Sequence, residues 1–475
     1  MTFVYRTLLA LLSAGLLALC FEPFNLTPLV WVGLVPLLVS LRGASAGGTR
    51  VLAFLFGLAF YGITVHWLFR IFGAPAVALI GILAATTWAF GTLHWLTARR
   101  FGPERALLLA PIVWLAVDLF RSELWYFKFS WMQLGFSQVR APATLQLASV
   151  IGVYGLTLLI VFVNVALAWL LCKLGPWRAL ASGAVVVGAA ALVGSIPVAE
   201  APVGTDAVRV GAIQTEASDL DRNLELTAEC TRAGAEVIVW PEYSLMEDPL
   251  ANKSTLARLS DAAATGQATV VIGCGERAEQ AGPEAFYNSA LVIGPDGRVL
   301  GSYHKHHPVQ FFNDGLRGRG FPTFATEAGQ LGIAICYDMD FAPIFRRLVG
   351  HGAQVLAVPT YDAAHWGRLQ RIQHSAMAPA RAVEVRRWVV RATSSGISQI
   401  IDPKGNTRHQ LGIGAEDVIT GDVRGSDELT PYVRVGYLIP YVGLGLVIVF
   451  LLIEAVRYIN ARRAQVSTEG ASGAC

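Results

Sequence analysis

The chain has 475 residues, of which 54% are hydrophobic and only 15% charged. A soluble domain carries roughly 25% charged residues, so this composition excludes a disordered chain and argues against a purely soluble enzyme. The net charge of +3 is too small for a nucleic-acid-binding protein, and six scattered cysteines form neither a CxxC pair nor a metal-ligand spacing.

Residues 1–197 are almost entirely apolar and read as an N-terminal transmembrane domain of seven helices, near 6–22, 26–41, 51–72, 76–98, 106–122, 148–172 and 178–196. Several approach the roughly 20 residues a spanning helix needs. The start LLALLSAGLLALC, preceded by Arg6, has the form of a signal peptide, but six further spans favour a retained helix. His66, His94 and Asp118 fall inside these stretches, and Asp118 is spaced to pair with Arg121 at i+3. Trp67, Trp95, Trp125 and Trp131 suit interfacial anchoring, with lipid access a second role for Trp131.

From 206 to 425 the pattern alternates between strand and helix. Strand readings fall on VRVGAIQ (208–214), VIVWPE (237–242), ATVVIGCGE (268–276), NSALVIGP (288–295), RVLGSYHK (298–305), LGIAICYD (331–338) and QVLAVPTYD. One long helix is expected across 367–386, before WVVRATSSGISQIID. Such alternation implies an α/β domain. A C-terminal transmembrane helix follows at 434–457, then a loose polar tail at 461–475.

Loop charge sets the expected orientation. Arg6; Arg42 and Arg50; Arg99, Arg100 and Arg105; Lys173 and Arg178; and Arg457, Arg462 and Arg463 occupy alternate loops, while the others hold fewer cations. Lys and Arg accumulate on the cytoplasmic side. With eight spans both termini are then cytoplasmic, and the 206–425 domain lies outside the cytoplasmic membrane.

Three strand ends in this domain present a carboxylate, an ammonium and a thiol: Glu242, Lys305 and Cys336. Active sites of α/β sheets gather at such ends. A thiol attacks as thiolate, so it needs a base or a nearby cation. Glu242 can take and return its proton, and Lys305 can face a growing oxyanion, with the backbone N–H of Tyr337 as a second donor. Each residue alone has an ordinary reading: a packed cysteine, a strand exit, an exposed edge. His304, His306 and His307 around Lys305 read as a solvated loop rather than a metal site, since neighbours alternate faces on a strand.

The contexts WPE (240–242), YHK (303–305) and ICYD (335–338) resemble the Glu–Lys–Cys signature of the nitrilase, or carbon–nitrogen hydrolase, superfamily. Eight spans around such a domain resemble the apolipoprotein N-acyltransferase family, as do SWMQLGFSQ (130–138) and ASVIGVYGLTLLIVFVNVALAW (148–169). The resemblance implies an α-helical membrane bundle of about eight transmembrane helices plus an αββα sandwich. It implies a monomeric, multi-pass enzyme of the bacterial inner membrane with its catalytic domain on the periplasmic side. A fatty acyl chain would pass from a membrane phospholipid, through a cysteine thioester, to the α-amino group of a diacylglyceryl-cysteine lipoprotein, without metal or organic cofactor. An amidase, a transferase with another amine acceptor, and a lipid-binding relative are the alternatives.

The chain departs from the family in three places. Where the family has a second glutamate supporting the lysine, HHPVQFFND places Asn313, with Asp314 beside it to take the role. Asp338 stands where the acyltransferases have glutamate. A tryptophan-containing loop is replaced by PTYDAAHWG (359–367), in which Trp366 and Gly367 keep part of the pattern. Tyr337, Asp338, Asp314 and Trp366 are therefore the supporting candidates.

Overall fold

The structure is a computed structural model and describes residues 1–172, 188, 206–216 and 219–472. In the N-terminal half, four of the expected spans differ in extent or continuity from the single helices read from the sequence. Phe3–Ala18 is a helix of 16 residues, started by the Thr2 side chain. The second breaks into Val30–Gly33 and Val35–Leu41 behind a 3-10 turn, Thr27–Leu29. Pro28 and Pro36 lack the N–H groups that a continuous ladder would use. The third ends at Thr64, and Leu68–Phe72 is a separate short helix. Pro103–Leu119 has 17 residues. Among the described residues, four helices are long and apolar enough to cross a membrane: Ala46–Thr64, Ala76–Phe101, Ala148–Leu171 and Gly436–Gln465. Of the expected span at 178–196 only residue 188 is described, so that span lies outside what the structure describes.

Small residues let these helices approach closely, as packing without a hydrophobic drive requires. A Cβ on Gly57 would fall 2.0 Å from Thr87 Oγ1. That hydroxyl donates across the same interface to the Ala53 carbonyl at 2.8 Å. The pairing of Arg121 with Asp118 is present at 2.5 Å, buried.

Residues 208–423 build two sheets of six strands. The first contains β1 (Val208–Gln214), β2 (Val237–Val239), β3 (Thr269–Arg277), β4 (Phe286–Ile293) and β5 (Val299–His304). The second contains β6 (Thr323–Thr326), β7 (Gly329–Ile333), β8 (Val355–Tyr361), β9 (Trp388–Ser394), β10 (Gln399–Ile401) and β11 (Thr407–Gln410). The last strand, β12 (Asp417–Val423), returns to the first sheet, giving the orders β12-β1-β2-β3-β4-β5 and β11-β10-β9-β8-β7-β6. The triplets β1-β2-β3 and β7-β8-β9 are parallel and the outer pairs antiparallel.

The sheets face each other through Val210, Val271 and Ala290 on one side and Ile333, Val355 and Val390 on the other, all buried. Helices Leu220–Arg232 and Lys253–Gly266 cover the outer face of the first sheet. Ala342–Gly350 and Ala378–Val385 cover the second, and their outer core is continuous with that of the N-terminal helices. The domain is thus an αββα sandwich with one outer layer fused to the membrane half. The two halves also share polar contacts: Glu384 Oε1 accepts from the Val153 N–H at 2.8 Å, and Trp67 Nε1 donates to Gln373 Oε1 at 2.8 Å.

Two expectations are corrected here. The single helix at 367–386 is two, Arg368–Ser375 and Ala378–Val385, with Pro379 in the first turn of the second. The tail at 461–475 is not loose through Ser472, because the last helix runs from Ile439 to Ser472. NARRAQ contains no proline and mostly strong helix formers, so its backbone ladder continues past the apolar stretch.

Candidate active site

Each reactive residue sits just beyond a strand. β2 ends at Val239, and Trp240 then buries its ring and donates from Nε1 to Thr227 Oγ1 at 2.9 Å. The following turn lies against Gly273, where a Cβ would come within 2.1 Å of the Pro241 carbonyl oxygen. Glu242 is fixed by that turn. Lys305 directly follows β5, and its backbone N–H donates to the Asn288 carbonyl at 2.8 Å. Cys336 lies three residues past β7 and opens the 3-10 turn Cys336–Asp340. Its φ is +48°, a left-handed conformation that is costly for a residue with a Cβ.

The three groups form one buried cluster. Lys305 Nζ is 2.7 Å from Glu242 Oε1 and 2.8 Å from Asp314 Oδ2. Asn288 Nδ2 donates to Glu242 Oε1 at 2.6 Å and to Asp314 Oδ1 at 2.7 Å. Asp314 also accepts from Tyr243 Oη and the Val309 N–H, each at 2.7 Å. The peptide units around Tyr361 serve both remaining partners. Its N–H donates to Glu242 Oε2 at 2.7 Å, and its carbonyl accepts from Cys336 Sγ at 3.6 Å.

Burial dominates the electrostatics. Lys305 and Glu242 side chains are 1% and 2% exposed. Two carboxylates hold the lysine well above its usual range despite desolvation. Burial raises Glu242, with Lys305 and Asn288 opposing. Burial and the Glu242 carboxylate push the Cys336 thiol well up, with Lys305 opposing. The resting thiol is therefore neutral, and it becomes a nucleophile only as a base removes its proton.

The supporting candidates take different places. Asp338 is wholly buried and accepts from the Ile335, His306 and His307 N–H groups at 3.2, 3.2 and 2.8 Å, and from Tyr303 Oη at 2.8 Å. It ties the cysteine turn to the segment carrying Lys305, and the His307 ring beside it holds its carboxyl below the usual range. The Tyr337 hydroxyl donates to the Lys128 carbonyl at 2.7 Å. Asn313 lines a cleft beside Glu242, while Asp314 makes the lysine contact.

The histidines are not a solvated loop. His304 stacks on Tyr287 with centroids 4.2 Å apart and lies 3.1 Å from Glu276, while His306 stacks on Phe321 at 4.3 Å and His307 on Phe341 at 3.9 Å. Aromatic or carboxylate neighbours from other parts of the chain, invisible in local spacing, occupy all three. No group of three or more His, Cys, Asp or Glu suited to a metal ion occurs among the described residues.

Cys336 is among the residues lining an apolar cleft of about 130 Å³ between the two halves of the chain. Trp67, Phe72, Phe129 and Trp131 line it from the membrane half, and Phe312 and Trp366 from the catalytic half. Trp131 is consequently not an interfacial anchor. It is buried, stacks on His374 at 5.7 Å and donates from Nε1 to Asp340. A second cleft of about 320 Å³, with more polar lining, meets Glu242 from the other side, between Thr215, Ser244, Asn313 and Tyr361.

Sequence reasoning missed Asn288, Tyr243 and the buried group behind the cysteine. There Asp362 binds His374 Nδ1 at 2.7 Å and Arg391 at 2.6 Å. These two cations pull the Asp362 carboxyl down, and Asp362 with Asp340 raises His374 to about 9. Asn288 was findable: it lies in β4, the strand antiparallel to YHK, where a buried amide gains nothing from core packing. His374 and Asp362 come from separate elements, and only the fold pairs them.

The comparisons with known proteins fit this geometry. Residues 207–428 match the family model described as carbon-nitrogen hydrolase, and residues 13–166 match that of the apolipoprotein N-acyltransferase N-terminal domain. An apolipoprotein N-acyltransferase of Geobacter metallireducens is 27% identical, covering 90% of this chain and 91% of that protein. One from Vibrio parahaemolyticus is 26% identical, covering 90% and 93%. Among solved structures, a cysteine-to-alanine mutant of a nitrilase-superfamily amidase from Nesterenkonia AN1 aligns at TM-score 0.41 and 24% identity, over 49% of this chain and 95% of that one. The fold and the two family matches define a carbon–nitrogen hydrolase domain joined to membrane helices. Within that class the chain is similar, over nine-tenths of its length, to apolipoprotein N-acyltransferases.

Proposed function

We propose that this chain transfers a fatty acyl group from a membrane phospholipid to the α-amino group of a diacylglyceryl-cysteine at a lipoprotein N-terminus. The observation that carries the reading is the position of Cys336. It lines an apolar cleft walled jointly by membrane helices and the catalytic domain, so that a lipid ester in that cleft meets the thiol without leaving an apolar environment.

Glu242 takes the Cys336 proton as Sγ attacks the acyl ester carbonyl. Lys305 and the Tyr337 N–H stabilise the oxyanion of the tetrahedral intermediate. Its collapse breaks the ester C–O bond, and Glu242 returns the proton to the departing lysophospholipid alcohol. The thioester is then attacked by the lipoprotein's neutral amine. Glu242 accepts the amine proton, the C–S bond breaks, and the thiolate recovers the proton from Glu242. Asp314 and Asn288 hold Lys305 and Glu242 in register, and Asp338 holds the cysteine turn. Trp366 forms part of the acyl wall.

The loop charges favour a bacterial inner-membrane protein with the catalytic domain on the periplasmic side. Complementation of a strain depleted of its own apolipoprotein N-acyltransferase tests the function. Growth and N-acylated lipoproteins are expected with the wild-type chain and neither with Cys336→Ala. Failure of the expressed, membrane-inserted wild-type chain to N-acylate lipoproteins would overturn the reading.

A further inference from the structure

Where the chain passes from the catalytic domain into its last apolar helix, a second polar pocket of about 90 Å³ opens. It shares no lining residue with the cleft at Cys336. Arg346 and Arg347 form one side, from the helix Ala342–Gly350, and Glu123 lies at another, with Tyr437 and Tyr441 between. Arg346 Cζ sits 3.9 Å from the Tyr437 ring centroid, and Arg347 Cζ lies 5.5 Å from that of Phe321. Neither guanidinium has a carboxylate or hydrogen-bond partner among the described residues. Glu123 accepts from Tyr154 Oη at 2.8 Å and Tyr441 Oη at 3.5 Å.

We infer that this pocket binds the headgroup of a zwitterionic aminophospholipid that is not the acyl donor, going beyond the proposed reaction. Two guanidiniums without a carboxylate partner line the pocket, and a phosphate meets such groups with forked, charge-assisted bonds. Aromatic stacking fixes the Arg346 plane in advance. Glu123 gives the pocket both signs of charge, which disfavours a purely anionic headgroup and matches an ammonium. Tyr437 and Tyr441 suit headgroup depth. Below them Val442, Leu446 and Val449 are exposed on the helix, an apolar track for two acyl chains. The helix bearing Arg346 begins two residues after the turn Cys336–Asp340, so a lipid held there pins the nucleophile's support to the last membrane helix.

The test uses the full chain in detergent, with Cys336 alkylated by a hexadecyl iodoacetamide so that the catalytic cleft is filled. Native mass spectrometry then follows binding of dioleoyl phosphatidylethanolamine, dioleoyl phosphatidylglycerol and soluble glycerophosphoethanolamine. One phosphatidylethanolamine is expected to bind, roughly 10-fold or more tighter than phosphatidylglycerol. Arg346→Gln with Arg347→Gln should weaken it by about 10-fold, and Glu123→Gln should erase the preference over phosphatidylglycerol. Should the double variant fail to fold, Arg346→Lys keeps the charge without the fork and should still lose roughly 3-fold. Unchanged affinity in the folded arginine variants, or equal binding of the two lipids by the parent, would overturn the inference. Competition by glycerophosphoethanolamine at lipid-like concentrations would assign the pocket to a soluble headgroup and overturn the lipid reading.

Discussion

Lys305 Nζ lies 2.8 Å from Asp314 Oδ2, so the lysine has its second carboxylate although Asn313 stands at the family's glutamate position. Aspartate is one methylene shorter than glutamate, and placement one residue later compensates. The backbone N–H of Val309 and the Tyr243 hydroxyl fix the aspartate from behind. Asp314→Asn should lower turnover by roughly 10- to 100-fold, through a looser Lys305, while Asn313→Ala should stay within about threefold of wild type. Acyl-transfer rates to a lipopeptide decide it, and the opposite ranking would return the role to Asn313.

Loss of the nucleophile should be absolute. Cys336→Ala is expected to yield a folded protein with no acyl adduct by intact mass, and Cys336→Ser should be nearly as inactive, since a hydroxyl is far harder to ionise. Substantial activity in either variant would exclude the thioester route.

Glu242→Gln keeps shape but cannot accept a proton, so acyl-enzyme should fail to form. Lys305→Met removes the charge from between Glu242 and Asp314, and both half-reactions should slow by on the order of 100-fold or more. Single-turnover acylation and transfer, measured separately, test the pair; near-normal rates in Lys305→Met would remove the lysine from the mechanism.

The buried His374 ion pairs predict a pH-dependent stability. Its folded pKa is raised from 6.5 to about 9, so the stabilisation is fully present below about pH 6.5 and is lost as pH rises through 9. The span corresponds to roughly 3 kcal/mol. Thermal midpoints between pH 6 and pH 10 should fall in the wild type and stay flatter in His374→Gln. Parallel profiles would show that the imidazole is not charged in the folded protein.

Topology is open to labelling. Asp296 lies in the exposed turn between β4 and β5. A cysteine placed there should react with a membrane-impermeant maleimide on intact spheroplasts, while one at Arg462 should be protected. The reverse pattern would put the catalytic domain in the cytoplasm.

Much of this site was legible because chemistry concentrates at strand ends. WPE, YHK and ICYD each place one reactive group just past a run of β-forming residues, and the fold brings those three ends together. Tyr361 and the Asp362–His374–Arg391 group were not legible, since their roles arise from pairing between separate elements that only the fold brings together. Proline misled the helix readings twice, at Pro28 with Pro36 and at Pro379, because hydropathy counts apolar length and ignores a missing N–H. The fate of Trp131 turned on the same blindness: an amphipathic ring reads as interfacial until a carboxylate such as Asp340 is found at its N–H.

In the αββα sandwich, the outer layer over β7–β9 is not self-contained. Its helices share one uninterrupted core with the N-terminal half. A fragment cut at 206–425 would bare that face to water, along with Arg386, which otherwise donates to Gln146 Oε1 at 2.7 Å. The hydrolase-like half is therefore a lodger in its own scaffold rather than a detachable module. A relative that shed the membrane segments would have to rebuild this wall from polar residues or cover it with another subunit.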